Sequence, residues 1–322
     1  MKEPHLILGI GELLWDALPE DLRPSELPPD GSPSDGMLGG APANFTVMAG
    51  RLGNHAAILS RIGRDDLGRR AIDRLDPMPV DTSCLQVDPV HETGRVTVSL
   101  VNSEPMYTIH QPSAWDFMEL SDEWVRMAER ADAVCFGSLA QRNVVSRQTI
   151  QNLAAQTSDA CIRVFDVNLR APFYSGEVIQ ESLELATVLK MSDGELPEVL
   201  NLLGLPVDEE PGSEQLRLGA TRLLEEFPAL QLVAVTRGAR GSLLVRREAW
   251  SEHPGFRIQL ADQIGAGDAF TAALTHYLLR GADLTKLNEA GNRWGAWVAS
   301  QSGAMPSLPE SVRAAIETAI ES

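Results

Sequence analysis

The stretch whose residue types and spacing most directly offer chemistry is Asp262-Gln263-Ile264-Gly265-Ala266-Gly267-Asp268, which runs on through Ala269-Phe270-Thr271 to His276. Gly265, Ala266 and Gly267 place almost no side-chain bulk where a turn enters a helix, so an anion can approach the amides that a first helical turn leaves unbonded. Asp268 falls just inside that turn. A carboxylate beside an anion hole repels the phosphate it faces, so simple phosphate storage does not explain it. General-base chemistry does: the carboxylate takes the proton of a hydroxyl as that hydroxyl attacks phosphorus, while the hole holds the charge. That reading makes the chain a small-molecule kinase. The plainer alternative is a glycine-cornered helix start with an Asp in its favoured first turn.

Other polar residues stand where strands end. Leu6-Ile7-Leu8-Gly9-Ile10 is an apolar run fit for a buried strand, ended by Gly11 and Glu12 and followed by Leu13-Leu14-Trp15-Asp16. Polar groups just past a central strand line ligand crevices. Asp16 either holds two sugar hydroxyls with its two oxygens or serves as a turn or cap residue. Gly39-Gly40-Ala41-Pro42-Ala43-Asn44 opens a helix running through Leu52. Its glycines allow close backbone approach and Asn44 offers a neutral polyol both donor and acceptor, although close helix–strand packing needs the same glycines. The strand Cys161–Phe165 ends in Asp166-Val167-Asn168-Leu169-Arg170, whose polar residues alternate and so share a face. Arg170 can bind substrate oxygens or phosphate and Asn168 a hydroxyl; a mutually paired Asp166–Arg170 support is the alternative.

The later strands raise the same choice. After Val188–Ser192, Asp193 and Glu195 either hold waters around a magnesium ion on nucleotide phosphates or simply start the next helix. Leu232–Thr236 is a further buried strand, and Arg237-Gly238-Ala239-Arg240-Gly241 turns the chain into Ser242–Val245. Thr236, Gly238 and Gly241 therefore border a nucleotide or make a plain hairpin.

The remaining pattern supplies the scaffold. Ala56–Ser60 reads as a strand, followed by a helix to Leu75 that Asp65 and Asp66 either cap or extend toward the far end of a substrate. Helices are expected over Asp122–Asp132, Val144–Ser158 and Leu284–Ser300, with a strand at Ala133–Gly137. In the Leu284 helix Trp294 and Trp297 fall within an amphipathic pattern with Leu287, Ala290 and Val298, which makes them packing residues; Asn292 is its polar exception. A Pro-containing tail from Gly303-Ala304 ends in a short helix. Pro19–Ser34 reads as an exposed loop. Between Asp81 and Gln111 the α/β rhythm gives way to β-prone pieces at Thr82–Val87, Arg95–Val101 and Met106–His110. Such an insertion is a sheet that covers a crevice and excludes water, an edge extension, or an oligomer interface.

A chain of 322 residues with 43% hydrophobic and 22% charged residues suits one large α/β domain. Cys84, Cys135 and Cys161 form no ligand pair or disulfide pattern and read as reduced, structural residues. His91, His110 and His276 show no metal-ligand spacing. The start is too short in apolar residues for a signal peptide or membrane span, so a cytoplasmic protein is expected. With 27 basic against 45 acidic residues the formal charge is -18, which opposes binding to nucleic acid or anionic lipid. No Gly-x-Gly-x-x-Gly turn follows the first strand, so a dinucleotide-binding oxidoreductase is disfavoured.

In order and separation these pieces resemble the PfkB, or ribokinase-like, family of carbohydrate kinases over nearly the whole chain. The anchors are Gly39 to Asn44 and Asp262 to Asp268, supported by Gly63-Arg64-Asp65, Asp166 to Arg170 and Val235-Thr236-Arg237-Gly238. The resemblance implies a three-layer α/β/α domain over residues 1–322 with a small β-sheet lid drawn from roughly 12–38 and 82–111. It makes Asp268 the base and Gly265, Ala266 and Gly267 the anion hole. Asp16, Gly40, Asn44, Asn168 and Arg170 then face the sugar, and Ser192, Thr236, Gly238, Gly241 and Asn292 lie toward ATP. Glu195 organises Mg2+ through water, and a monovalent cation, usually K+, sits near Asp262, Ile264 and Gly303. A homodimer through the lid is also implied. Two positions depart from the family pattern: Gln263 stands where Thr is usual, and Ser192 replaces the Asn that usually begins the magnesium motif ending at Glu195.

The stretches Gly11-Glu12 with Trp15-Asp16, and Lys190-Met191-Ser192-Asp193-Gly194-Glu195, are most similar to bacterial fructokinases, which implies ATP-dependent phosphorylation of the 6-hydroxyl of D-fructose. Ribose, 2-keto-3-deoxygluconate or a nucleoside would need only a few altered contacts. The ketodeoxy acid would use Arg170 for its carboxylate, and a nucleoside would want an apolar slot in residues 91–117. A regulator that binds sugar or nucleotide without transferring phosphate is the alternative of another class.

Overall fold

The fold is built on strands whose side chains alternate between two helical layers. A computed structural model describes residues 4–17, 36–101, 104–207 and 212–321; the loop expected at Pro19–Ser34 lies outside them. In chain order the strands are β1 Leu6–Ile10, β2 Leu14–Ala17, β3 Met37–Gly39, β4 His55–Leu59, β5 Arg61–Gly63, β6 Gln86–Asp88, β7 Gly94–Val101, β8 Glu104–Ile109, β9 Ala133–Gly137, β10 Ile162–Asp166, β11 Val188–Ser192, β12 Leu232–Thr236, β13 Ser242–Val245 and β14 Trp250–His253. Eight of them form one sheet in the order β14-β13-β12-β11-β10-β9-β1-β4. Its β12-β11-β10-β9-β1-β4 portion is parallel, and β13 and β14 extend it as antiparallel ribbons.

The helices are α1 Ala41–Arg51, α2 Asp66–Leu75, α3 Asp122–Arg130, α4 Val144–Ala155, α5 Gly176–Leu185, α6 Glu195–Leu202, α7 Ser213–Glu226, α8 Ala266–Leu279, α9 Leu284–Ala299 and α10 Glu310–Glu321. Leu8, Val134, Phe136, Phe165, Leu189 and Met191 join the apolar faces of α3 to α7. Their sequence neighbours Ile7, Ala133, Cys135, Val164 and Val188 join α1, α8, α9 and α10 on the other side. Strand alternation thus produces the three-layer α/β/α sandwich that the sequence implied. It also decides where the polar strand ends point: Asp166 and Lys190, partners in the β10–β11 register, both fall on the α8 side.

Asp65 caps α2, accepting the Gly68 amide at 2.7 Å, and it also binds the Thr93 amide and hydroxyl at 2.7 Å each. Of its two sequence readings the cap holds. Trp294 is fully buried and packs edge-on with Trp297. Cys84, Cys135 and Cys161 are free and buried.

A second sheet of four strands has the order β3-β2-β7-β8 and stands apart from the main one. The first β-prone piece of the insertion does not join it. Gln86–Asp88 pairs instead with Arg61–Gly63 in a separate two-stranded sheet, across which Arg61 Nε lies 3.0 Å from the buried Asp88 carboxylate. Among the described residues no helix is long and apolar enough to cross a membrane.

Candidate active site

Two helix starts meet at the carboxyl ends of β1 and β10. Gly265 caps α8 in the left-handed region at φ 79°, and a side chain there would come within 2.6 Å of the Ala304 carbonyl oxygen. Glycine is therefore required twice, by conformation and by space. The amides of Gly265, Gly267 and Asp268 meet no protein acceptor among the described residues, while that of Ala266 lies 3.4 Å from the Gln263 carbonyl. Unbonded N–H groups at the positive end of a helix form an anion site. The exposed side chain of Gln263 leaves that geometry to its backbone.

Asp268 lies in the first turn of α8, and Asn44 in the first turn of α1 donates its Nδ2 to Asp268 Oδ2 at 2.7 Å. This bond fixes the amide orientation, since only the nitrogen can donate to a carboxylate. The other end of Asn44, Oδ1, is buried without a partner among the described residues. Asn44 thus orients Asp268 and keeps an acceptor for a hydroxyl. Gly40 caps α1 at φ 110°, and a Cβ there would approach the Glu12 carbonyl oxygen to 2.3 Å.

Burial first, and then the neighbouring Asp166 carboxylate, push Asp268 up to about 6, against the pull of Lys190, Asn44 and Arg170. Burial also raises Asp16 to about 6, opposed by Arg170. Glu12 reaches about 7 through burial, although its own amide and that of Ala41 lower it. Glu12 Oε1 accepts from Ala41 at 3.3 Å and Oε2 is buried without a partner among the described residues. Asp16, Glu12 and Asp268 all feel the exposed Arg170, whose guanidinium is hydrogen-bonded among the described residues only to the Leu169 carbonyl. Glu12 also lines a small cavity with Ser138, Asp166 and Asn168.

The run Asp166, Asn168 and Arg170 does not share a face as strand alternation predicts. The strand stops at Asp166, and Asn168 turns into the left-handed region at φ 41°, a conformation Asn tolerates. Nor does Asp166 pair with Arg170: its Oδ1 accepts from Lys190 Nζ at 2.9 Å and its Oδ2 from Thr271 Oγ1 at 3.0 Å.

On the far side of β11, Glu195 opens α6 with every carboxylate oxygen engaged. Its Oε1 accepts the Leu169 amide at 2.7 Å, and its Oε2 accepts the Ser192 amide at 2.7 Å and the Ser192 hydroxyl at 2.8 Å. Ser192 therefore holds the carboxylate in place. The oxygens keep lone pairs for ordered water, and no cluster of three metal-ligating side chains occurs among the described residues. Such a donor set fits magnesium held mainly by phosphates and water. Asp193 pairs with Arg240.

Thr236 ends β12 and pairs across the hairpin with Ser242. A Cβ at Gly238 would meet open space, whereas one at Gly241 would lie 2.0 Å from the His253 carbonyl oxygen, so Gly241 serves the packing of β13 on β14. Asn292 is 8% exposed and its Nδ2 is bound to Ser242 and Asn288. That amide ties α9 to β13. Asp262 gathers the last predicted group: Oδ1 accepts the Ile264 amide at 3.0 Å and Oδ2 the Gly303 amide at 3.2 Å. Asp262 thus ties its own loop to the Gly303 loop, whose Ala304 abuts Gly265.

Sequence reading passed over Glu12, Lys190 and Thr271. Parity along β11 was the available signal for Lys190, a cation within an otherwise apolar strand.

The sequence profile described as pfkB family carbohydrate kinase matches residues 10–311. An uncharacterized sugar kinase of Pyrococcus horikoshii is 32% identical over 313 residues, covering 93% of this chain and 91% of that one. Its crystal structure in complex with ATP superposes with a TM-score of 0.75, covering 93% of this chain and 94% of that chain. The fructokinase of Salmonella typhimurium is 29% identical, covering 93% of this chain and 95% of its own. A double mutant of Vibrio cholerae fructokinase, with fructose, ADP and potassium ion bound, is 26% identical with a TM-score of 0.78, covering 98% and 99% of the two chains.

Proposed function

This chain belongs to the pfkB family of carbohydrate kinases, and from that premise we propose that it transfers the γ-phosphoryl group of ATP to the 6-hydroxyl of D-fructose. The observation that carries the proposal is the Asn44–Asp268 bond of 2.7 Å beside the free amides of α8. It joins a base and an anion hole in the first turn of α8 to an orienting group from the first turn of α1. Fructokinases among the relatives, one of them with fructose and ADP bound, support the choice of sugar and nucleotide.

In this reading the 6-hydroxyl oxygen bonds to the γ-phosphorus as the bond to the β–γ bridging oxygen breaks, and ADP leaves. The hydroxyl proton passes to Asp268. Asn44 keeps the carboxylate aimed, and the Gly265, Gly267 and Asp268 amides hold the charge on the equatorial oxygens. Asp16, the buried Asn44 Oδ1, Asn168 and the backbone at Gly40 face the sugar. Glu195, held by Ser192, would order the water shell of a magnesium ion brought with ATP, and that ion would supply charge to offset the phosphates. Asp262, Ile264 and Gly303 would hold a monovalent cation, which would stiffen the loop beside the anion hole; one fructokinase relative has a potassium ion bound. Thr236 and Gly238 border the adenine-nucleotide side. The four-stranded sheet β3-β2-β7-β8 covers the crevice as a lid. Its edge strand β8 pairs with a second copy, giving a homodimer.

Arg170 gives a specific second reading. A cation facing three carboxyls at the mouth of the site suits a substrate that brings its own carboxylate, such as 2-keto-3-deoxygluconate. Steady-state phosphorylation of fructose, ribose, 2-keto-3-deoxygluconate and nucleosides separates the two: fructose first supports the proposal, and the ketodeoxy acid first moves the assignment to the second reading.

A further inference from the structure

A positive charge stands where the helix dipole disfavours it. Lys190 lies in the middle of the sheet, 9% exposed at its side chain, and its Nζ donates to Asp166 Oδ1 at 2.9 Å. Among the described residues no other hydrogen bond engages this ammonium, which carries three donors. A Cβ built on Gly267 would lie 3.2 Å from Nζ, so the ammonium sits against the first turn of α8, beside the unbonded amides. The positive end of a helix repels a cation. Asp166 offsets part of that repulsion, and an anion lying between the ammonium and the α8 amides would offset the rest.

The surrounding charges agree. Asp166 is fully committed, to Lys190 on one oxygen and Thr271 on the other. Asp268, from α8, and Glu195, from α6, act on Lys190 from further off. Burial works against the lysine's charge, but these carboxylates together hold its pKa above the ordinary value. The ammonium is thus charged, anchored through one proton, and has two left over.

We infer that Lys190 binds the transferring phosphoryl group directly, giving its two free ammonium protons to phosphoryl oxygens that also face the α8 amides, with Asp166 and Thr271 as its anchor and the bare Cα of Gly267 as its clearance. The inference rests on the kinase reading above. It assigns the absence of a side chain at position 267 to the lysine as much as to the anion.

Three variants and one binding measurement test it. Lys190→Met is expected to lower kcat by about 10²–10³-fold, with the KM for sugar changed by less than about threefold. Gly267→Ala, which keeps the charge but displaces it, is expected to fall part of the way. A merely structural lysine that neutralises Asp166 behaves differently, because removing both charges in Lys190→Met/Asp166→Asn would then restore activity. Direct phosphoryl contact predicts no restoration. The binding measurement uses sugar, Mg2+ and ADP with and without aluminium fluoride, a planar phosphoryl mimic. The wild-type protein is expected to bind ADP more tightly with the fluoride, and Lys190→Met to lose most of that gain while keeping its affinity for ADP alone. A Lys190→Met protein with kcat within threefold of wild type, an undiminished fluoride gain, or activity rescued in the double variant would overturn the inference and leave the kinase reading intact. Absence of phosphorylation by the wild-type protein with any sugar would overturn both.

Discussion

At the scale of single residues the site is a cluster of carboxyls held near their ionisation points. Asp268 must be ionised to take a proton, and burial with Asp166 pushes it up to about 6. The kcat/KM profile is therefore expected to rise as pH passes through about 6 and to level above it. Asp268→Asn, which keeps the shape and the contact to Asn44, is expected to lower kcat by about 10²–10⁴-fold with a folded protein by circular dichroism. Glu12 gives a stability signature of opposite sense. A carboxyl whose folded value is raised to about 7 contributes stability that is full below its ordinary value near 4.5 and is lost as pH rises through 7. Glu12→Gln keeps an acceptor for the Ala41 amide but cannot ionise. Its stability relative to wild type is expected to improve by up to about 3 kcal/mol between pH 4.5 and 8, read from urea midpoints at each pH. No change in that difference would show that Glu12 does not titrate where burial places it.

At the scale of elements the decisive feature is a pair of glycine-capped helices whose first turns face each other. Gly265→Ala places a side chain at φ 79° against the Ala304 carbonyl oxygen. Left-handed backbone alone costs an alanine about 1–2 kcal/mol, so thermal stability and kcat are expected to fall together. The elements themselves were legible in the sequence. Apolar runs gave β1, β11, β12 and β13 with their observed ends, because short continuous apolar runs of this length suit buried strands. The glycine corners gave the starts of α1 and α8 for the same steric reason that the structure shows. What the sequence left open were contacts made across elements. Asn44 reads as a sugar ligand along the chain, and only the approach of α1 to α8 turns it onto Asp268. The alternation Asp166, Asn168, Arg170 promised one face, but the strand ends at Asp166 and the left-handed Asn168 breaks the parity. Lys190 was hidden because its partner, Asp166, lies 24 residues away in a neighbouring strand. Gln86–Asp88 similarly follows Arg61 into a separate pairing that no local pattern announces.

At the scale of the whole molecule, the α/β/α sandwich carries the base and anion hole, and a separate small sheet carries Asp16. Closure of that sheet over bound sugar predicts slower amide exchange in β2, β7 and β8 with fructose and ADP present than in the free protein. A homodimer built on β8 predicts a sedimentation mass of two chains, and a mass of one chain would remove that interface from the account. The measurement that bears most directly on the central claim is sugar-dependent ATP consumption in Mg2+ and K+, run across fructose, ribose, other hexoses, 2-keto-3-deoxygluconate and nucleosides beside Asp268→Asn. The account predicts phosphorylation that is fastest with fructose and collapses in the variant. A folded wild-type protein that binds sugar yet transfers no phosphate to any member of the panel would contradict it and identify a sugar-binding regulator on a kinase scaffold.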